Sequence, residues 1–96
     1  MSVIRTHTYS VDAADLQEFL ARRASLIGTI RESHPGLAFA QLIKLDDGTY
    51  RDTWHWEDGA QMGAAFAALP SFAEAPLTMA LTRDATAQNG QVVDER

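Results

Sequence analysis

Arg5, His7 and Tyr9 alternate along one run of the chain, VIRTHTYSV, and Asp52, Trp54 and Trp56 alternate along another, TYRDTWHWE. Side chains two apart on a strand share a face. Each run therefore gathers its polar and aromatic groups on one surface. Where those surfaces meet, His7 and Asp52 make a general-base pair, the carboxylate orienting the imidazole and raising its basicity. In that reading His7, Asp52 and Arg5 are the catalytic candidates, with Arg5 steadying an oxyanion. Tyr9, Gln41, Trp54 and Trp56 are the ligand-binding candidates, the indoles stacking on a flat ring. A plainer reading uses the same residues: an Arg5–Asp52 ion pair, His7 merely hydrogen-bonded, and both tryptophans as core. His34 and His55 read as structural or solvated. No two histidines stand at helical i, i+3 or i, i+4 spacing, so no metal site is expected. The sequence has no glycine-rich phosphate loop and no GxSxG.

The elements that must position these groups follow from periodicity. Residues 3–11 alternate and are rich in β-branched types, which predicts a strand with Val3, Arg5, His7, Tyr9 and Val11 on one side. Asp12 is the expected N-cap of a helix whose apolar stripe is Leu16, Phe19, Leu20, Ala24, Ile27 and Ile30, with Leu26 at its edge. Gly28 marks either close packing there or nothing. His34-Pro35-Gly36 stops that helix. From Gly36 to Asp58 two strands flank Asp47-Gly48, a pair suited to a two-residue type I′ turn. With that turn, Leu45 faces Tyr50, Ile43 faces Asp52, Gln41 faces Trp54 and Phe39 faces Trp56. This gives a large apolar surface with Gln41 and Asp52 embedded in it. The other surface is small and hydroxyl-rich, built from Ile4, Thr6, Thr8, Ala38, Ala40, Leu42, Thr53 and His55. Asp58 is expected to cap a second helix with Met62, Ala65, Phe66 and Leu69 inward, ended by Pro70. Ser71 and Glu74 suggest a capping box. Pro76 predicts a break near Ala75, with a helical turn resuming over residues 77–81. A last strand falls by elimination at about residues 86–94.

The order strand, helix, strand, strand, helix, strand is the α+β, ferredoxin-like βαββαβ plan: a four-stranded antiparallel sheet with helices on one face. The 96 residues are expected to form one domain, with a core over about residues 3–82 plus the C-terminal strand. The formal charge of −5 and the scattered basic residues argue against a nucleic-acid partner. With no cysteine there is no disulfide and no thiolate metal site. No apolar run approaches the roughly 20 residues of a membrane span, and the N-terminus lacks a signal-peptide core, so no membrane partner and a cytoplasmic setting are expected. The small outer face is apolar at its centre and flat, which predicts sheet-to-sheet pairing of two copies.

The run Tyr50-Arg51-Asp52-Thr53-Trp54-His55-Trp56-Glu57-Asp58, the helix to Leu69 and then Pro70-Ser71-Phe72 resemble the antibiotic-biosynthesis-monooxygenase domain, and the element order resembles the dimeric α/β-barrel proteins. The resemblance covers about residues 3–82, and its motifs are mostly architectural. It implies a homodimer with a pocket between sheet and helices in each subunit. It also implies a cofactor-independent monooxygenase acting on a planar aromatic molecule, such as a polyketide anthrone or a quinol. His7 would take the proton whose loss precedes reaction with dioxygen. Members often carry a histidine after the second helix, where this chain has Leu69-Pro70-Ser71-Phe72. The haem-degrading branch uses an Asn on strand one, a Trp in the second helix and a His in the following helix, none of which stands here, so haem turnover is not expected. The competing reading is a non-catalytic small-molecule-binding or structural homodimer of the same fold.

Overall fold

The computed structural model describes residues 2–96. Strand β1 (Val3–Ser10) leads through a 3₁₀ turn (Ala13–Asp15) into helix α1 (Leu16–Ser33). The hairpin β2 (Leu37–Lys44) and β3 (Tyr50–Trp56) follows, then α2 (Gly59–Ala68), a 3₁₀ turn (Leu69–Ser71), α3 (Glu74–Met79) and β4 (Arg83–Gln91). The sheet is antiparallel with order β2-β3-β1-β4, the ferredoxin-like arrangement expected.

The hairpin register differs from the expected one by a single residue. Gly48 N–H donates to the Leu45 carbonyl (2.9 Å) and Leu45 N–H to the Thr49 carbonyl (2.8 Å), and Gly48 alone in this loop has positive φ, +90°. A turn over residues 45–48 followed by a left-handed glycine replaces the two-residue turn. The extra loop residue moves the pairing to Lys44↔Tyr50, Leu42↔Asp52 and Ala40↔Trp54. Because side chains alternate with period two, one residue of slip turns a whole strand over. Phe39, Gln41 and Ile43 therefore lie on the open face opposite His55, Thr53 and Arg51, and Ala40 and Leu42 lie inward. A bulge between Leu37 and Phe39 then reverses the alternation, so that Leu37 pairs with Trp56 and is buried.

The core lies between the inner sheet face and the helices, around Trp56, Ile30 and Leu37, each about 1% exposed. Helix α1 buries Phe19, Leu26, Ile27 and Ile30, while Leu20 and Ala24 point outward. The buried stripe is thus rotated from the expected one and runs through Arg23. A Cβ on Gly28 would meet nothing, so that glycine serves no close packing. Gly36 does: a Cβ there would overlap the Gln61 side chain, and its carbonyl accepts from Glu57 N–H (2.9 Å).

Three local expectations are corrected. Asp12 makes no side-chain cap and pairs instead with Arg83. Ser71 and Glu74 form no capping box: the Ser71 hydroxyl donates to the Ala68 carbonyl (2.6 Å) and Glu74 accepts from the Thr29 hydroxyl (2.6 Å). Helix α3 starts at Glu74, which puts Pro76 in its first turn, where a missing N–H breaks no helical bond. Asp58 caps α2 as expected, accepting from Gln61 N–H at 2.8 Å. Strand β4 begins three residues before the expected start and is exposed throughout. Among the described residues no helix is long and apolar enough to cross a membrane.

Candidate functional site

A cavity opens under the helices against β1 and β3. Its floor is His7, Tyr9, Asp52 and Trp54, and its walls are Phe19 and Leu26 of α1, Phe66 of α2, Leu69, and Ala75 and Met79 of α3. Its volume is about 70 Å³, well short of the roughly 300–1,000 Å³ of small-molecule sites. A second, more open recess shares His7, Phe66, Leu69 and Met79 with it and adds Arg5 and the β4 residues Ala85, Thr86 and Ala87. The two form a small apolar inner chamber opening on an outer vestibule of about 460 Å³.

The polar groups on the floor sort into two sets. The first is centred on Asp52, 4% exposed. Its carboxylate accepts four hydrogen bonds: Tyr9 hydroxyl (2.8 Å), Trp54 Nε1 (2.8 Å), and Arg23 through Nε (2.9 Å) and Nη2 (2.7 Å). The Arg23 and Asp52 side chains are 14% and 6% exposed, so this is a forked ion pair in the interior. Burial pushes the Tyr9 hydroxyl well above its ordinary range, and the neighbouring Asp52 charge and hydrogen bond push it further. Tyr9 is thus a fixed donor. The set is closed, with the carboxylate oxygens engaged by its own neighbours.

The second set is His7 with Arg5. His7 Nε2 accepts from Arg5 Nε at 3.2 Å, and Arg5 Nη1 donates to Asn89 Oδ1 at 3.0 Å. The Arg5 guanidinium carbon lies 4.6 Å from the centre of the Phe66 ring, a cation–π contact. The His7 ring meets Trp54 edge-on at 6.2 Å. Burial lowers the His7 pKa and the Arg5 charge lowers it further, against a smaller opposing pull from Asp52. The imidazole is therefore neutral at pH 7, with its proton on Nδ1 when Nε2 accepts from Arg5.

The expected site residues are thereby partly rearranged. Arg5, His7, Tyr9, Asp52 and Trp54 share the inner face. His7 and Asp52 are not hydrogen-bonded: Asp52 belongs to Arg23, Tyr9 and Trp54, and the partner of His7 is Arg5. The Arg5–Asp52 ion pair does not form either, because Arg23 holds that place. Gln41 is exposed on the opposite face of the sheet, turned out by the register. Trp56 is 1% exposed and sits in the core against Phe66 (ring centres 6.2 Å apart) rather than in the cavity wall. Its buried Nε1–H has no partner among the described residues, a deficit worth roughly 1–3 kcal/mol. Arg23 is the residue that sequence reasoning missed. The signal was present: a cation at the place on the Phe19, Leu26, Ile27, Ile30 stripe where an apolar side chain belongs demands a buried acid. Among the described residues no group of three or more His, Cys, Asp or Glu is placed to hold a metal ion.

Fold and site together define a class: a ferredoxin-like α+β protein, here with an aromatic-lined cavity between sheet and helices. Solved structures with this fold are similar over nearly the whole chain. SnoaB, a cofactor-independent oxygenase from Streptomyces nogalater, in a variant form, superposes with a TM-score of 0.79 at 19% identity, covering 98% of this chain and 95% of its own. An antibiotic biosynthesis monooxygenase gives 0.72 at 17% identity, covering 96% and 99%. A variant of MhuD with two manganese protoporphyrin IX molecules bound per active site gives 0.67 at 22% identity, covering 98% and 97%. No family model matches the sequence, and no curated protein matches it. The chain has the fold of the antibiotic biosynthesis monooxygenases, and at these identities the likeness is one of fold.

Proposed function

We propose that the protein is a cofactor-independent oxygenase for a planar aromatic molecule of the anthrone or quinol kind. One observation carries the reading: the His7 imidazole, hydrogen-bonded to the Arg5 guanidinium, lines a cavity walled by apolar side chains, in which the other acid–base group, Asp52, is already engaged. A neutral His7 is ready to accept a proton, and Arg5 beside it is ready to neutralise the oxygen anion left behind. With an anthrone, His7 takes one proton from the ring methylene and Arg5 meets the enolate oxygen. The electron-rich anion then reduces dioxygen. One oxygen atom becomes the new carbonyl and the other leaves as water with both methylene hydrogens, so atoms and electrons balance. Trp54 and Phe66 supply aromatic surface for the ring system. Asp52 acts at one remove, fixing Trp54 and Tyr9.

The test is oxygen uptake on adding a hydroxyanthrone to the purified protein. Turnover should fall about 10²–10⁴-fold in His7→Ala, the range for loss of a positioned acid–base group. Undiminished turnover would remove His7 from the mechanism. The closed Asp52 network favours a second reading, ligand binding without turnover, because it leaves His7 without an orienting carboxylate. Quenching of tryptophan fluorescence by anthrones and quinones with no oxygen uptake would select that reading.

We propose also that two copies pair through their open sheet faces. Phe39 and Ile43 are 47% and 42% exposed there, beside Ile4 and the threonines of β1 and β3. The register thus makes this face more apolar than the alanines first assigned to it, and β4 has neither side covered.

A further inference from the structure

Asn89 stands directly across from Arg5 in the β1–β4 pairing, so the two side chains share the inner face of the sheet. Cross-strand neighbours on one face are close enough for a short side chain to meet a long one. The Asn89 Oδ1 accepts from Arg5 Nη1 at 3.0 Å, and Arg5 Nε donates to His7 Nε2 at 3.2 Å. Phe66 of α2 lies against the same guanidinium, its ring centre 4.6 Å from the central carbon. Three elements thus fix one long side chain that would otherwise sample many rotamers. Asn89 itself is exposed, as is the whole of β4, so core packing does not account for it.

That the residue is an amide matters. Four other arginines are answered by acids, namely Glu18, Asp52, Asp12 and Asp94. Arg5 is met by a neutral carbonyl, and no carboxylate lines the vestibule around it. An acid at position 89 would hold the guanidinium in the same place and cancel much of its charge. An amide holds it and leaves the charge whole. The charged or titratable residues lining the two cavities beside His7 are Arg5, Asp52 and Tyr9. Burial and the Arg5 charge lower the His7 pKa against the pull of Asp52, so the placement of Arg5 is readable in the ring.

We propose that Asn89 is a positioning residue for His7: its amide oxygen holds the Arg5 guanidinium on Nε2, which keeps the ring hydrogen on Nδ1 and leaves the full Arg5 charge beside the imidazole. Asn89 acts through Arg5 and touches no reacting atom. The inference deepens the proposed function by adding the residue that governs its acting base. It rests on that reading for what His7 does, while the hydrogen-bonded chain itself requires no turnover.

The test is NMR of the His7 imidazole in the full chain without substrate. The ring nitrogen shifts report which nitrogen carries hydrogen, and a pH series gives the midpoint. Asn89→Ala releases Arg5, so the Nε2–H form should appear beside the Nδ1–H form and the midpoint should rise. Asn89→Asp keeps the acceptor and adds an acid. It should keep the Nδ1–H form and raise the midpoint by roughly half a pH unit or more. Urea unfolding should be little changed in both, as for most exposed substitutions; a merely structural role would move unfolding and leave the ring nitrogens alone. An unaltered protein whose His7 carries its hydrogen on Nε2 would overturn the inference, a result that needs no variant to fold. So would ring shifts and a midpoint unmoved in Asn89→Ala. The expected shifts with no oxygen uptake on any anthrone would sustain this inference while sinking the oxygenase reading. Oxygen uptake that falls in His7→Ala, with the His7 signals unmoved in Asn89→Ala, would do the reverse.

Discussion

Replacing Arg23 with Met keeps an unbranched apolar stem on the buried face of α1 and removes the guanidinium. Asp52 then loses two of its four hydrogen bonds and its counter-charge at once. Hydrogen bonds to charged groups are worth about 1.5–3 kcal/mol each, and removing one partner of a buried ion pair costs about 3–5 kcal/mol. Both routes put the loss near 3–5 kcal/mol, because the pair is almost wholly screened from water (14% and 6% exposed). Against the roughly 5–15 kcal/mol by which a domain is stable, that is a large fraction. Urea unfolding at pH 7 and fixed protein concentration, followed by tryptophan fluorescence, measures it as a drop in midpoint at unchanged m-value. Adding Asp52→Asn should recover about 1 kcal/mol or more. Its carbonyl can still accept from Trp54 Nε1, its amide can donate to the Tyr9 oxygen, and no buried charge is left alone. A loss under about 1 kcal/mol for Arg23→Met, or a double variant less stable than the single, would refute the claim that Asp52 is a buried charge held by Arg23.

Two further outcomes are expected. NMR titration of the imidazoles should place His7 below the ordinary histidine value, because burial and Arg5 both oppose its charge, and Arg5→Gln should move it upward. Since the folded-state value is the depressed one, the unfolded chain takes up this proton first. The contribution of His7 to stability is therefore complete above about pH 6.5 and shrinks as pH falls below it; a titration at or above the ordinary value would reverse that sign. On the open sheet face, Phe39→Asp should shift the protein to monomer in sedimentation velocity at micromolar concentration with its far-UV circular dichroism unchanged. An unaltered protein that already sediments as a monomer would remove the proposed pairing.

Alternation and local signals made the β1 face, the stop at His34-Pro35-Gly36, the Asp58 cap and the βαββαβ order legible in the sequence, because these depend on interactions within one element or between chain neighbours. The inward placement of Arg5, His7, Tyr9, Asp52 and Trp54 followed from period-two spacing alone. What spacing left open was pairing across elements. Asp46-Asp47-Gly48 is compatible with a two- or a three-residue hairpin loop, and the choice decides which face of β2 looks inward. The folded chain uses one left-handed residue at Gly48 and then a bulge after Leu37, which sends Gln41 and Phe39 outward while keeping Leu37 in the core. The partner of Asp52 was open for the same reason. Arg5 and Arg23 are both cations within reach of the inner face in principle, and only the packing of α1 on the sheet selects Arg23, leaving Arg5 and His7 to each other. Local chemistry thus specified which residues of β1 and β3 share the inner face of the sheet. The three-dimensional packing specified which of them neutralise one another, because a buried charge takes whatever counter-charge the assembled layers bring within hydrogen-bonding distance.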